Sequence, residues 1–166
     1  MEPKVLELSL PPEWDSVRAG WGACHGLLEG AGLAEDETDA LSMVAQELLE
    51  NAVKYGGDGS EAIRLSLRVE AAGVTVEVRS RVPADGAHLA TLGGAVERLR
   101  ACPDPYQAWV ERLQRVAGRP EGQGGSELGL ARIAYEGRCA LDYRVDAGVL
   151  AVSAVYKRED DRRGVK

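Results

Sequence analysis

VAQELLENAVKYG, residues 44–56, decides how this chain reads. Val44, Leu48, Ala52 and Tyr55 recur at helical spacing and, with Leu41, predict one apolar face of a helix over 35–55. Residues three and four apart are neighbours on a helix. Glu47, Asn51 and Lys54 therefore share a second face, where a carboxylate, a carboxamide and an ammonium meet. These groups suit a magnesium-bound phosphate. A carboxylate orients or deprotonates an attacking group, an amide oxygen is a hard ligand, and a lysine offsets phosphate charge. Acidic residues crowd the first turns of this helix, where its dipole favours them, and Gly56-Gly57 stops it.

Working outward, residues 4–10 alternate as a short strand closed by Pro11 and Pro12. Trp14, Val17, Trp21, Cys24 and Leu28 predict an amphipathic helix over 13–29, ending near Gly30 and Gly32. After the long helix, residues 62–69 and 74–82 alternate as two strands joined by a short hairpin connection. Each has one apolar and one charged face, the mark of a sheet covered on one side only. Residues 88–100 and 106–117 predict helices separated by Cys-Pro-Asp-Pro, and GRPEGQGG (118–125) reads as flexible. A helix over 128–135 and strands over 140–145 and 149–156, turning at Asp146–Gly148, complete the order. The charged residues 158–166 read as a disordered tail. The fold class is α+β: a two-layer α/β sandwich whose mixed, mostly antiparallel sheet carries helices on one face. Residues 1–157 form one domain, with 86–125 as a helical insert.

Composition narrows the function. The chain carries a net charge of −7, against nonspecific binding to nucleic acid, which needs a basic footprint. Hydrophobic residues make up 45% and Phe is absent, so the core is expected to be aliphatic. Cys24, Cys102 and Cys139 are far apart and odd in number, which favours reduced, partly buried thiols over a metal or disulfide framework. No secretory signal and no membrane span appear, so the default location is the cytoplasm. His25 and His88 sit in no phosphoacceptor-like surroundings.

The string ELLENAVKYG resembles the helical Asn box of the GHKL ATPases, whose core is E-x-x-x-N, and its NAVKYG tail resembles the histidine-kinase and anti-sigma branch. The element order is that of their Bergerat fold. On its own, E-x-x-x-N is ordinary amphipathic helix surface; the longer string and its place before a hairpin carry the resemblance. It implies binding of ATP with Mg²⁺. Glu47 would be the base or orienter, Asn51 the magnesium ligand and Lys54 a phosphate contact.

GGSELGLARIA (124–134) resembles the family's last glycine box, at the start of a helix. Free backbone N–H groups and the helix dipole bind phosphate there, and glycines allow close approach. Gly124, Gly125, Ser126 and Gly129 are the implied contacts. Glu127 stands where the family has a glycine. A left-handed backbone there costs about 1–2 kcal/mol for a non-glycine residue, and a carboxylate facing phosphate costs more. The family's adenine-reading Asp is missing as well: Ser80 or Arg81 holds its region. Asp85-Gly86, the nearest acidic–glycine pair, comes several residues late, after Pro83. It reads as a turn, with Asp85 the candidate base reader.

The resemblance implies a stand-alone regulatory ATP-binding protein of bacterial signalling. It would act on a protein partner, as an anti-sigma or serine-kinase-like switch. Homodimerisation, common among such relatives, would have Trp14 and Trp21 as a surface. The alternative is an interaction module that kept the fold and no longer binds nucleotide.

Overall fold

A computed structural model describes residues 2–55, 61–82, 86–117 and 125–158; Asp85, Gly124 and nearly all of the charged tail lie outside them. The elements follow the predicted order. They are β1 (Lys4–Leu10), α1 (Trp14–Gly30), α2 (Glu35–Tyr55), β2 (Ile63–Val69), β3 (Gly73–Arg81), α3 (Gly86–Ala101), α4 (Pro105–Ala117), α5 (Gly125–Tyr135), β4 (Cys139–Asp146) and β5 (Val149–Lys157).

The five strands form one sheet in the order β1-β2-β3-β5-β4. Every pairing is antiparallel, so the expectation of a mixed sheet is corrected. Two helices separate β1 from β2 and three separate β3 from β4, and β5 returns by a hairpin to fill the place between β3 and β4. That hairpin turns on Ala147 and Gly148, both at positive φ, the geometry that matches strand twist in a two-residue loop.

Alternation places the core. Ile63, Leu65, Leu67 and Val69 of β2 and Val74, Val76 and Val78 of β3 are buried, while Arg64, Arg68 and Arg79 face outward. Leu41, Val44, Ala45, Leu48, Leu49 and Ala52 of α2 and Val17, Cys24 and Leu28 of α1 cover the apolar face. The seam between α1 and the elements beneath it is tight at Gly20, where a side chain would run into Leu49 and Leu65.

Trp14 and Trp21 share the predicted apolar face of α1, which suits either core or interface. The structure leaves Trp14 60% and Trp21 37% exposed, with Trp21 stacked on His25. The close approach at Gly20 rotates α1 so that Ser16, Val17 and Gly20 face inward between them. The cysteines are free thiols. Burial pushes Cys24 and Cys139 up to about 12, which leaves both inert as nucleophiles at neutral pH.

Candidate functional site

Helix α2 crosses the apolar face of the sheet, and a cleft lies where its C-terminal half meets β3, β5 and α3. Leu48, Asn51, Ala52 and Tyr55 form one wall and Val78, Ser80, Leu150 and Val152 the floor. His88 and Leu92 close it from α3. Among the described residues, neither the Asn51 carboxamide nor the Ser80 hydroxyl has a hydrogen-bond partner, although both line this cleft. Polar side chains at a cleft wall without protein partners are available to a ligand.

The room inside is small, about 20 Å³, enough for roughly one water. The protein's own rings take up the rest. His88 stacks on Tyr55 with ring centres 3.6 Å apart and planes 15° from parallel. A planar base stacking on Tyr55 there would have to displace the His88 ring.

Glu47 sits one turn before Asn51 and meets α5. Its side chain is 15% exposed and its Oε1 accepts a hydrogen bond from Arg132 Nη1 of α5 at 3.2 Å. Gly129, one turn earlier on α5, lies against the other carboxylate oxygen, where a Cβ would collide with it. Burial raises the Glu47 pKa, the neighbouring Glu50 raises it further, and the Arg132 hydrogen bond pulls it back. Lys54 is exposed, with its ammonium 5.1 Å from the centre of the Tyr55 ring. Glu47, Asn51 and Lys54 thus have different neighbours in the ligand-free fold. Shared helical spacing put them on one face, but tertiary neighbours divide that face: α5 takes Glu47, the cleft takes Asn51, and Lys54 lies in solvent.

The last glycine box also differs from expectation. Helix α5 starts at Gly125, three residues before the predicted start, so Gly125 and Ser126 are helical instead of loop residues, and Gly129 lies in the helix as expected. Residue 127 is helical too, and the left-handed backbone cost argued for Glu127 does not arise. The N–H groups of the first turn, at Gly125 and Ser126, are those that an α-helix leaves without carbonyl partners of its own.

Four cleft or site residues were not singled out as ligand groups in the sequence: Tyr55, Ser80, His88 and Arg132. Tyr55 lay in the motif string but was assigned to the core. Arg132 follows Gly129 by three residues, the same-face spacing on a helix, which was the one available pointer. For His88 no local pattern exists.

The raised Glu47 pKa has a consequence for stability. A carboxyl whose folded pKa exceeds its unfolded value contributes most below the unfolded pKa, and that contribution is lost as pH rises through the folded value. Glu47→Gln is therefore expected to be more stable, relative to the parent, at pH 7.5 than at pH 4. Urea unfolding of both proteins at the two pH values checks it; a relative stability that falls with pH refutes the reading of this environment.

Comparisons agree with the fold. The chain matches the histidine kinase-like ATPase domain family over residues 10–134. One chain of the SiaB–SiaC complex from Pseudomonas aeruginosa superimposes with a TM-score of 0.65 at 18% identity, covering 91% of this chain and 88% of that one. The RsbU and RsbW domains of Rv1364c from Mycobacterium tuberculosis give a TM-score of 0.55 at 13% identity, covering 95% of this chain and 34% of that one. A curated relative, gamma-glutamyl phosphate reductase of Sorangium cellulosum (strain So ce56), is 32% identical over 121 residues. That match takes in 69% of this chain and 27% of the reductase, so the chain spans about a quarter of that protein's length. Among the described residues, no helix is long and apolar enough to cross a membrane. With an Asn-box helix over a five-stranded antiparallel sheet and a family match spanning most of its length, the chain belongs to the histidine kinase-like ATPase domain family of the GHKL superfamily.

Proposed function

We propose that this domain binds a magnesium nucleotide, ATP by family, in the cleft beside α2 and acts on a protein partner as a regulatory switch of the anti-sigma or serine-kinase kind. The observation that carries the proposal is the pair of unpartnered polar side chains, Asn51 and Ser80, facing a cleft with apolar walls. Asn51 offers a hard oxygen to a cation held chiefly by phosphates, which needs no cage of protein carboxylates. Among the described residues no cluster of three or more acidic, His or Cys side chains forms such a cage. Tyr55 offers a face for stacking, Ser80 a hydroxyl to a base edge, and the first turn of α5 backbone N–H groups to phosphate. Lys54 supplies positive charge near the cleft mouth. Glu47 orients or deprotonates the acceptor hydroxyl on the partner. The nucleotide brings the group to be transferred; the chain supplies position and charge. A protein partner accords with the fold neighbour, which was solved as the SiaB–SiaC complex.

A second reading is a module that has lost the nucleotide and keeps only protein contacts. It is favoured by the His88–Tyr55 stack that closes the cleft and by Arg132 holding Glu47. Label transfer separates the two. With γ-labelled ATP, Mg²⁺ and a co-purified partner, label is expected on a partner hydroxyl and is expected to be absent with Glu47→Ala. Undiminished transfer by that variant rejects Glu47 as the base, and no nucleotide binding by calorimetry at millimolar Mg-ATP selects the interaction module.

A further inference from the structure

Gly129 and Arg132 of α5 meet the Glu47 carboxylate, with Glu136 just past the end of that helix, and this arrangement is more than a surface ion pair. Arg132 divides its guanidinium. Nε donates to Glu136 Oε2 at 2.7 Å, four residues on and just past the end of the helix, and Nη1 donates to Glu47 Oε1 at 3.2 Å. The Glu136 contact fixes the plane of the fork, and the second contact then has a set direction toward α2. Gly129 removes the side chain that would otherwise push the Glu47 carboxylate off this position.

The charged groups facing Glu47 are Glu50 from its own helix, Arg132 from α5 and Glu136 just beyond the end of α5. Two of the three are acidic. Among the described residues, Arg132 is the one cation paired with Glu47. A carboxyl that is mostly buried beside two other carboxylates is under pressure to take up a proton, and a protonated Glu47 neither orients nor deprotonates a hydroxyl.

We infer that Arg132 is a positioning residue for Glu47: through the Glu136–Arg132–Glu47 chain it sets the direction of that carboxylate and keeps it ionised one turn from Asn51. This deepens the function proposed above and rests on it for the role of Glu47. It does not rest on it for the coupling itself. Lysine has one ammonium and no fork, so it serves one of the two carboxylates at a time and restores the arrangement only in part.

The experiment is a pH titration of the Glu47 side-chain carboxyl by ¹³C NMR on the nucleotide-free protein, with the resonance assigned by its loss in Glu47→Gln. In Arg132→Met the midpoint is expected to rise by about one unit or more, the usual effect of removing an opposite charge within hydrogen-bond reach. Arg132→Lys is expected to give a smaller rise. Glu136→Gln is expected to lower the midpoint, because it removes a repelling charge and frees the guanidinium. In label-transfer assays with Mg-ATP, the acid limb of the Arg132→Met pH profile moves to higher pH by the same amount, with activity regained in alkali. An unchanged Glu47 midpoint in folded Arg132→Met overturns the coupling whether or not nucleotide binds. Should that variant fail to fold, the Lys and Gln variants carry the same test, and no shift in either overturns it. A shifted midpoint with an unmoved acid limb overturns the positioning role. A shifted midpoint in a protein that binds no nucleotide rejects the function proposed above and leaves the coupling standing.

Discussion

Mg-ATP at a hundred times its dissociation constant is expected to raise the unfolding free energy by about 2.7 kcal/mol, and Asn51→Ala is expected to remove that gain. For a domain of this size the thermal midpoint should rise by roughly 5–11 °C, at about 2–4 °C per kcal/mol. Loss of the Asn51 carboxamide should cost the free protein little. That group makes no hydrogen bond among the described residues, so its loss leaves no buried group stranded. A variant with near-parental stability and no ligand-induced shift places the lost energy in the complex. Opening the cleft has its own cost, because the His88–Tyr55 stack must part; aromatic pairs of this kind contribute about 0.5–1.5 kcal/mol. His88→Ala should for that reason bind Mg-ATP up to about tenfold more tightly, since less of the binding energy goes into displacing the ring. Absence of any shift with millimolar Mg-ATP or Mg-ADP in both parent and His88→Ala would reject nucleotide binding.

The architecture was legible because it rests on periodicity. The 3.6-residue repeat of Leu41, Val44, Leu48 and Ala52, and the two-residue alternation of Ile63–Val69, are written into single segments, and the structure buries those residues. The start of α5 was not legible. Glycines at 122, 124 and 125 read as a loop, yet Gly125 is already helical: the helix is seated by the buried Leu130, Ala131 and Ile133, and tertiary packing overrides a weak local preference. The site was half legible. Asn51 and Glu47 could be found from a motif; what each side chain meets could not. The contact between Glu47 and Arg132 spans 85 residues of chain, and the ring that fills the cleft comes from a helix whose position in the fold no local spacing encodes. The three-residue step from Gly129 to Arg132 reads in sequence as a phosphate loop running into a helix. In the fold it is one face of one helix, with the glycine making room for the carboxylate that the arginine holds.

Leu48→Ala is expected to lower stability by about 2–5 kcal/mol, the usual cost of truncating a fully buried leucine. Leu48 is 2% exposed and sits between Glu47 and the Asn51 turn, where it meets both the core and the cleft floor. At about 2–4 °C per kcal/mol the thermal midpoint should fall by roughly 4–20 °C, a large part of the 5–15 kcal/mol that holds a typical domain together. Where in that range the result lands depends on how far the surroundings collapse. Val78, Leu150 and Val152 belong to strands paired on both sides and cannot follow the missing side chain, so the void should persist and the loss should lie in the upper half. Leu48→Met keeps the volume and should cost less than about 1.5 kcal/mol. Urea unfolding reads both, with an unchanged m-value confirming that the folded and unfolded states keep their compactness. A loss under about 1 kcal/mol for Leu48→Ala would mean that α2 is not seated on the sheet through this residue. The placement of Asn51 in the cleft wall would then lose its support, since the same turn of helix presents both side chains.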